Sequence, residues 1–210
     1  MAAHAAIGAE LHPAGHPAGG HPHGTPTGGH PGGHPAGMPK GHPKGVLGGG
    51  VKIISWNTTN ACNMYCAHCY RDAGCRAEEE LSTEEAKKLL REIAKAGFRI
   101  MIFSGGEPLT RPDILELVSY ARGLGLIPVF GTNGTLIDLP MAKALKEAGA
   151  CGMGISLDSL DKQKHDAFRS FPGGWDGAVR GMMNCRAVGL PFQIHTTVMD
   201  WNAHEIEAMT

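Results

Sequence analysis

The sequence has almost no net charge, since 19 lysines and arginines are balanced by 20 aspartates and glutamates in 210 residues. A chain so balanced has no overall field that would attract nucleic acid or an anionic membrane, and we expect neither partner. It also contains no apolar run near the ~20 residues that a membrane-spanning helix requires. A basic segment followed by an apolar one is missing near the N-terminus, so we expect no signal peptide and a cytoplasmic protein.

The sequence also lacks the well-separated cysteines of a disulfide framework. Three of its six cysteines, Cys62, Cys66 and Cys69, fall within eight residues. This crowding favours a reducing compartment and a metal-binding role over disulfide bonds. The remaining cysteines are expected to be buried or free thiols: Cys75, Cys151 and Cys185.

Residues 1–50 have few large apolar side chains and contain instead six His-Pro dipeptides separated mainly by glycine and alanine. Ordering such a segment costs conformational entropy that no burial offsets. We therefore predict a disordered tail over residues 1–50 and one core domain over residues 51–210. The tail is interpreted as a spacer or as a loose site for divalent transition metals, for which imidazole is a suitable ligand.

From Val51 onward, short apolar runs alternate with amphipathic helical patterns. Strands are predicted at 52–56, 99–103, 126–130, 152–156 and 192–198. Helices are predicted at 84–96, 112–124, 140–147 and 176–188, with a further one beginning near residue 203. This alternation indicates right-handed βαβ units and a parallel sheet. The predicted fold is α/β, a partial (β/α) TIM-like barrel that stops after its fifth strand; an open doubly wound sheet is the alternative.

A CxxxCxxC run, formed by Cys62, Cys66 and Cys69, follows the first predicted strand. Thiolates bind iron–sulfur clusters or zinc. Three cysteines in one compact loop would leave one iron of a [4Fe–4S] cluster open to an outside ligand. A zinc site with Cys75 as the fourth ligand is the alternative. Functional residues of such sheets lie beyond the carboxyl ends of the strands, where this loop is expected.

The loop after the second predicted strand is Gly105-Gly106-Glu107-Pro108. Glycine allows a positive φ and lets the backbone approach a ligand closely. The proline biases Glu107 toward an extended conformation, which would direct its carboxylate toward the rim of the sheet. A plain turn with a solvated glutamate is the alternative. Further polar residues follow the third and fourth predicted strands: Asn133, Ser156 and Asp158.

Together, the CxxxCxxC run and the GGEP loop resemble the radical S-adenosylmethionine (radical SAM) superfamily over residues 51–210. The resemblance implies a [4Fe–4S] cluster held by the three cysteines, reductive cleavage of S-adenosylmethionine to a 5′-deoxyadenosyl radical, and an electron donor such as ferredoxin or flavodoxin. No side chain is assigned a catalytic role, because the cofactor carries the radical. The resemblance implies cofactor contacts for Gly105, Gly106 and Glu107 at the methionine amino group, His68 near adenine, Ser156 and Asp158 at ribose or carboxylate, and Asn133 near the same pocket.

Residues 54–60 and 70–74 look like the radical enzymes of heme and heme d1 biosynthesis. This likeness implies a tetrapyrrole substrate, whose carboxylates Arg71 and Arg111 are expected to anchor. A peptide-modifying radical SAM maturase is the alternative within the superfamily. A His-rich metal-handling protein and an inactive truncated fold are alternatives of other classes. Barrels of the superfamily have about six βα units, whereas five strands are predicted here, so we expect either that the sequence is a fragment or that the chain needs a partner.

Overall fold

A computed structural model describes residues 51–71 and 73–209. The predicted disordered tail and its suggested metal-binding role lie outside the described residues. The five strands are β1 (Ile53–Asn57), β2 (Ile100–Ser104), β3 (Ile127–Thr132), β4 (Gly152–Ser156) and β5 (Phe192–His195). The helices are α1 (Thr83–Lys95), α2 (Ile114–Gly123), α3 (Leu139–Ala148), α4 (Lys162–Phe168), α5 (Gly174–Val188) and α6 (Ile206–Met209), with short 3-10 turns at Pro108–Thr110 and Ala203–Glu205.

The five strands form one parallel sheet whose spatial order, β1-β2-β3-β4-β5, is the order of the chain. Each crossover therefore returns the chain to the edge beside the strand that it has just left. A doubly wound sheet would instead reverse direction at one strand. The predicted partial (β/α) barrel is confirmed, and the doubly wound alternative is wrong.

The helices cover the outer face of this sheet and form the core with it. Met101 and Phe103 of β2 point outward and are fully buried beneath α1 and α2, where they meet Leu90 and Leu117. Ile100 and Ile102 alternate with them and point to the inner, concave face, where they stay partly accessible. The inner face is thus left open to a ligand.

Local sequence signals place the predicted helix starts correctly. Ser82 and Glu85 form a reciprocal capping box at the start of α1, and Gly97 just beyond its end has φ of 80°. Asp138 caps α3 by accepting a hydrogen bond from the backbone N–H of Met141 at 2.7 Å. In the described part of the chain, no helix combines the length and apolar character needed to cross a membrane.

Two elements differ most from the prediction, while the bounds of the others agree within two residues. Helix α4 was not predicted, because its seven residues are largely charged or polar and carry no apolar stripe of helical period. Strand β5 ends at His195, three residues early, because the chain then turns to bond with the loop after β4. In that turn the hydroxyl of Thr196 donates to the carbonyl of Leu157 at 2.7 Å, and the N–H of Thr197 donates to Asp158.

Candidate functional site

A cavity of about 280 Å³ lies at the carboxyl ends of the strands. It brings together residues from loops that are up to 135 positions apart in the chain, from Cys62 to Thr197. Eight of the ten residues predicted to bind a cofactor or metal line it: Cys62, Cys66, His68, Cys69, Gly105, Gly106, Asn133 and Ser156. The other two, Glu107 and Asp158, lie behind its wall and are fully buried.

The cysteine loop is closed at its base and anchored in its middle. The N–H of Cys62 donates to the carbonyl of Gly74 at 2.9 Å, which joins the two ends of the loop. The side chain of Met64 is 2% exposed and fixes the segment between the first two cysteines. A turn follows, in which the N–H of Cys69 donates to the carbonyl of Cys66 at 3.0 Å. The three thiols therefore project from a fixed backbone into the cavity.

The surroundings of Cys62 and Cys66 disfavour their thiolate forms unless a cation lies nearby. Burial raises the pKa of the Cys62 and Cys66 thiols, and the neighbouring thiolates would raise both further by mutual repulsion. The guanidinium of Arg169 opposes this at Cys66, whose sulfur lies 4.0 Å from Nη1. Binding to iron would remove both penalties, because metal ligation stabilises the thiolate.

The three cysteines fit a cluster better than a single ion. Within residues 51–71 and 73–209, no group of three or more histidines, cysteines or acidic residues is placed to hold one metal ion. In a [4Fe–4S] cluster each thiolate binds its own iron, so the three sulfurs need not converge on one point. Cys75 is exposed and does not line the cavity, which leaves the zinc alternative without its fourth ligand.

The two glycines of the GGEP loop are required by contact with protein backbone. Gly105 has φ of 134°, and a Cβ there would collide with the carbonyl of Thr59; a Cβ on Gly106 would collide with that of Ala61. The N–H groups of Gly106 and Glu107 donate to these same carbonyls, each at 2.8 Å. The glycine loop is therefore fastened directly to the segment that leads into the cysteine loop.

Glu107 is fully buried, so the solvated-glutamate alternative is wrong. Its carboxylate accepts hydrogen bonds from the N–H of Leu109 (3.1 Å), the N–H of Asn133 (2.8 Å) and the hydroxyl of Thr132 (2.8 Å). Burial raises its pKa, while these three donors act in the opposite direction. Glu107 thus joins the loops after β2 and β3, and its contact with a methionine amino group stays a prediction.

Asp158 holds a cation that the sequence analysis missed. Its carboxylate accepts from Nε of Arg169 at 2.6 Å and from the N–H of Thr197 at 3.0 Å. Arg169 is 8% exposed and lines the cavity. Its guanidinium is a suitable partner for a carboxylate. No local signal marked Arg169, because it follows the unpredicted helix α4 and pairs with a residue eleven positions earlier.

His68 forms part of an aromatic wall. Its ring stacks on Phe168 with centroids 4.0 Å apart and an angle of 4°, and Trp201 packs its edge on Phe168 at 5.0 Å. Burial, helped by the charge of Arg169, lowers the pKa of His68, so the ring is neutral near pH 7. Its Nδ1 is buried and has no hydrogen-bond partner among the described residues. Contact with adenine stays a prediction for this ring.

Asn133 and Ser156 border the cavity at the ends of β3 and β4. The side-chain amide of Asn133 donates to Asn63 of the cysteine loop at 2.8 Å and accepts from the hydroxyl of Thr135 at 2.7 Å. Asn133 therefore positions the cysteine loop against β3. Ser156 is half-buried in the cavity lining, and its contact with ribose or a carboxylate stays a prediction.

The two arginines predicted to bind substrate carboxylates have different surroundings. Arg111 is 3% exposed, makes a two-point ion pair with Asp113, and donates to the carbonyls of Thr58 and Leu81. Its donors are thus used within the protein, and the predicted substrate role of Arg111 is wrong. Arg71 lines the cavity, and its buried Nε lacks a partner among residues 51–71 and 73–209.

The sequence of this chain was compared with family models and with known proteins, and both comparisons found matches. The model of the Radical SAM superfamily matches residues 56–210. Fe-coproporphyrin III synthase of Methanosarcina barkeri is 44% identical over 158 residues, which are 75% of this chain and 39% of that protein. AdoMet-dependent heme synthase of the same organism is 41% identical over 157 residues, 74% of this chain and 45% of that protein. The chain therefore spans less than half the length of these curated relatives.

A solved structure shares the fold. The structure of anSMEcpe with bound AdoMet superposes with a TM-score of 0.63 over 76% of this chain and 46% of that one. The two sequences are 21% identical, so this likeness concerns the fold alone.

Proposed function

Because the chain belongs to the radical SAM superfamily, we propose that residues 51–210 hold a [4Fe–4S] cluster and S-adenosylmethionine for radical chemistry on a tetrapyrrole. When bound and reduced, the cluster supplies the electron that cleaves S-adenosylmethionine to methionine and a 5′-deoxyadenosyl radical. One observation carries the proposal: a single cavity is lined by the three cysteines of the CxxxCxxC run, by Gly105 and Gly106, and by Arg169, which is paired with buried Asp158.

Each part of the cavity has a physical role in this proposal. Cys62, Cys66 and Cys69 would hold three irons and leave the fourth for S-adenosylmethionine. Arg169, kept in place by buried Asp158, would bind the carboxylate of the cofactor through its fixed fork of donors. The stacked pair of His68 and Phe168 offers a flat surface for adenine. These side chains orient the cofactors and exclude water, while the cofactors carry the difficult chemistry.

A tetrapyrrole with carboxylate side chains is the proposed substrate class. The names of the two relatives, a coproporphyrin and a heme synthase, support it. Arg71 supports it too, because it lines the cavity and its Nε has no partner among the described residues, so its guanidinium would bind a substrate carboxylate. The apolar side chains on the inner face of the sheet would pack against a flat macrocycle. The electron donor would be a ferredoxin or flavodoxin, and the compartment the cytoplasm.

The proposal is tested by anaerobic reconstitution of the chain, with iron and sulfide analysis followed by detection of 5′-deoxyadenosine. We expect about four irons per chain, retained in Cys75→Ala and lost in Cys66→Ala. We expect deoxyadenosine formation to rise with iron coproporphyrin III or with a siroheme-derived tetrapyrrole, and to be accompanied by a mass change of that tetrapyrrole. Stoichiometric zinc without sulfide would refute the cluster. Deoxyadenosine that no tetrapyrrole stimulates, with no mass change, would refute the substrate and favour a peptide.

A further inference from the structure

A second cavity, of about 310 Å³, lies on the inner face of the sheet. Its lining comes from the same strands as the first cavity, two residues nearer their amino ends: Ile102, Val129 and Gly154 here, where Ser104, Gly131 and Ser156 line the first. The two cavities therefore follow one another along the strands. The second has a different chemistry, since among its described lining residues only Gln193 and His195 carry polar side chains.

His195 lies at the boundary and lines both cavities. It is the last residue of β5, opposite Ser156 of β4, and such partners of a parallel pair point to the same face of the sheet. Its exposed ring extends over Gly154, where a Cβ would come within 2.6 Å of Nδ1. The absence of a side chain at residue 154 is therefore what lets the imidazole occupy this place.

The orientation of the His195 ring is fixed by its neighbour. The amide nitrogen of Gln193 lies 2.7 Å from Nε2 of His195. Because an amide nitrogen donates, Nε2 is the acceptor in this contact, and the tautomer that fits it has its hydrogen on Nδ1. In that tautomer the boundary between the two cavities presents Nδ1–H, for which no hydrogen-bond partner lies among residues 51–71 and 73–209.

We propose that His195 binds a carboxylate of the substrate and thereby sets which side chain reaches the cofactor. This inference rests on the proposed function. The macrocycle would pack on the apolar inner face, and the reacting side chain would pass the boundary toward the first cavity. A substrate carboxylate at the boundary between the two cavities would lose part of its hydration, which costs free energy unless a hydrogen-bond donor replaces the water. Nδ1–H of His195 supplies that donor at the point where the carboxylate must pass.

The test is a binding titration with the full chain carrying its cluster and S-adenosylmethionine, without reductant, so that no turnover occurs. Coproporphyrin III and its tetramethyl ester, which lacks ionised carboxylates, are titrated by absorbance. We expect His195→Ala to weaken binding of the acid roughly tenfold, as for a hydrogen bond to a charged group, and binding of the ester less than about twofold. His195→Asn, which keeps a donor, should restore most of the affinity.

Ile194→Ala is the matched control, because Ile194 lies on the same strand but on its outer face. It should leave both affinities unchanged. Equal weakening of acid and ester in His195→Ala would assign His195 to cavity shape and overturn the inference, as would an unchanged affinity for the acid. If the unsubstituted chain binds no porphyrin, the proposed substrate fails together with the inference. Deoxyadenosine formation by the unsubstituted chain is measured separately, so failure of the cofactor chemistry is told apart from failure of the His195 role.

Discussion

The two halves of the cavity rim are built differently. The first half starts with the loops after β1 and β2, which are joined through backbone groups: the N–H groups of Gly106 and Glu107 donate to carbonyls at 2.8 Å. The buried carboxylate of Glu107 then joins these loops to the loop after β3. The second half, the loops after β4 and β5, is joined by buried charged side chains. There Asp158 pairs with Arg169, and the carboxylate of Glu205 accepts from the hydroxyl of Ser159 at 2.8 Å. The backbone joints depend on glycines within one short motif, whereas the side-chain pairs depend on single charged residues in separate segments.

If the first half depends on backbone contact, a single methyl group should disrupt it. In Gly106→Ala the Cβ would overlap the carbonyl of Ala61, which has no flexible side chain to give way. We expect the largest effect for this variant: its free energy of unfolding, measured with urea, should fall by about 3 kcal/mol or more. Gly123→Ala is the control, since nothing lies within 4 Å of its added Cβ at the end of α2. That variant should be stabilised by ~0.5–1 kcal/mol. Similar values for the two variants would contradict the comparison.

If the second half depends on charge pairing, removing one partner should leave a buried charge alone. Arg169→Met removes the cation that pairs with Asp158, which is fully buried. We expect the free energy of unfolding to fall by ~3 kcal/mol. Adding Asp158→Asn should recover part of that loss. The control is Lys162→Met, whose ion pair with Asp176 is exposed and should be worth ~0.5 kcal/mol or less. Equal effects of the two single substitutions would show that burial does not matter here.

A pH dependence should come from the same half. His165 is fully buried, its Nδ1 accepts from the N–H of Asp158 at 3.1 Å, and burial, then Arg169, lowers its pKa. As pH falls below ~6.5, the unfolded chain takes up a proton that the folded chain does not. Stability is therefore retained at higher pH and lost as pH falls, by up to ~1.4 kcal/mol per pH unit.

The variant His165→Asn keeps an acceptor for the Asp158 N–H but does not titrate. Its unfolding free energy, measured by urea unfolding across the range below neutrality, should fall with a shallower slope than that of the unsubstituted chain. The expected difference approaches one proton. Identical slopes would mean that His165 takes up its proton equally in the folded and unfolded states.

The first half of the rim was predictable from the sequence, whereas most of the second half was not. The cysteine and glycine loops are contiguous motifs, so spacing alone located them. Arg111 shows the limit of that reasoning, because its position next to the GGEP loop suggested substrate binding. Its guanidinium is instead paired with Asp113 and lies over the ring of Trp56, so it is not available to a ligand. Whether a charged residue near a motif faces a ligand or the interior depends on packing against distant segments.

By itself the sequence determined the order and type of the strands and of every helix except α4, the capped starts of α1 and α3, and the two contiguous motifs. These depend on periodicity, capping residues and spacing, all of which act over a few positions of the chain. Only the tertiary structure decided that Asp158 braces Arg169, that Phe168 stacks on His68, and that His195 lies between two cavities. The physical reason is that burial and charge pairing join side chains across the sheet, and no local pattern encodes a partner that distant in sequence.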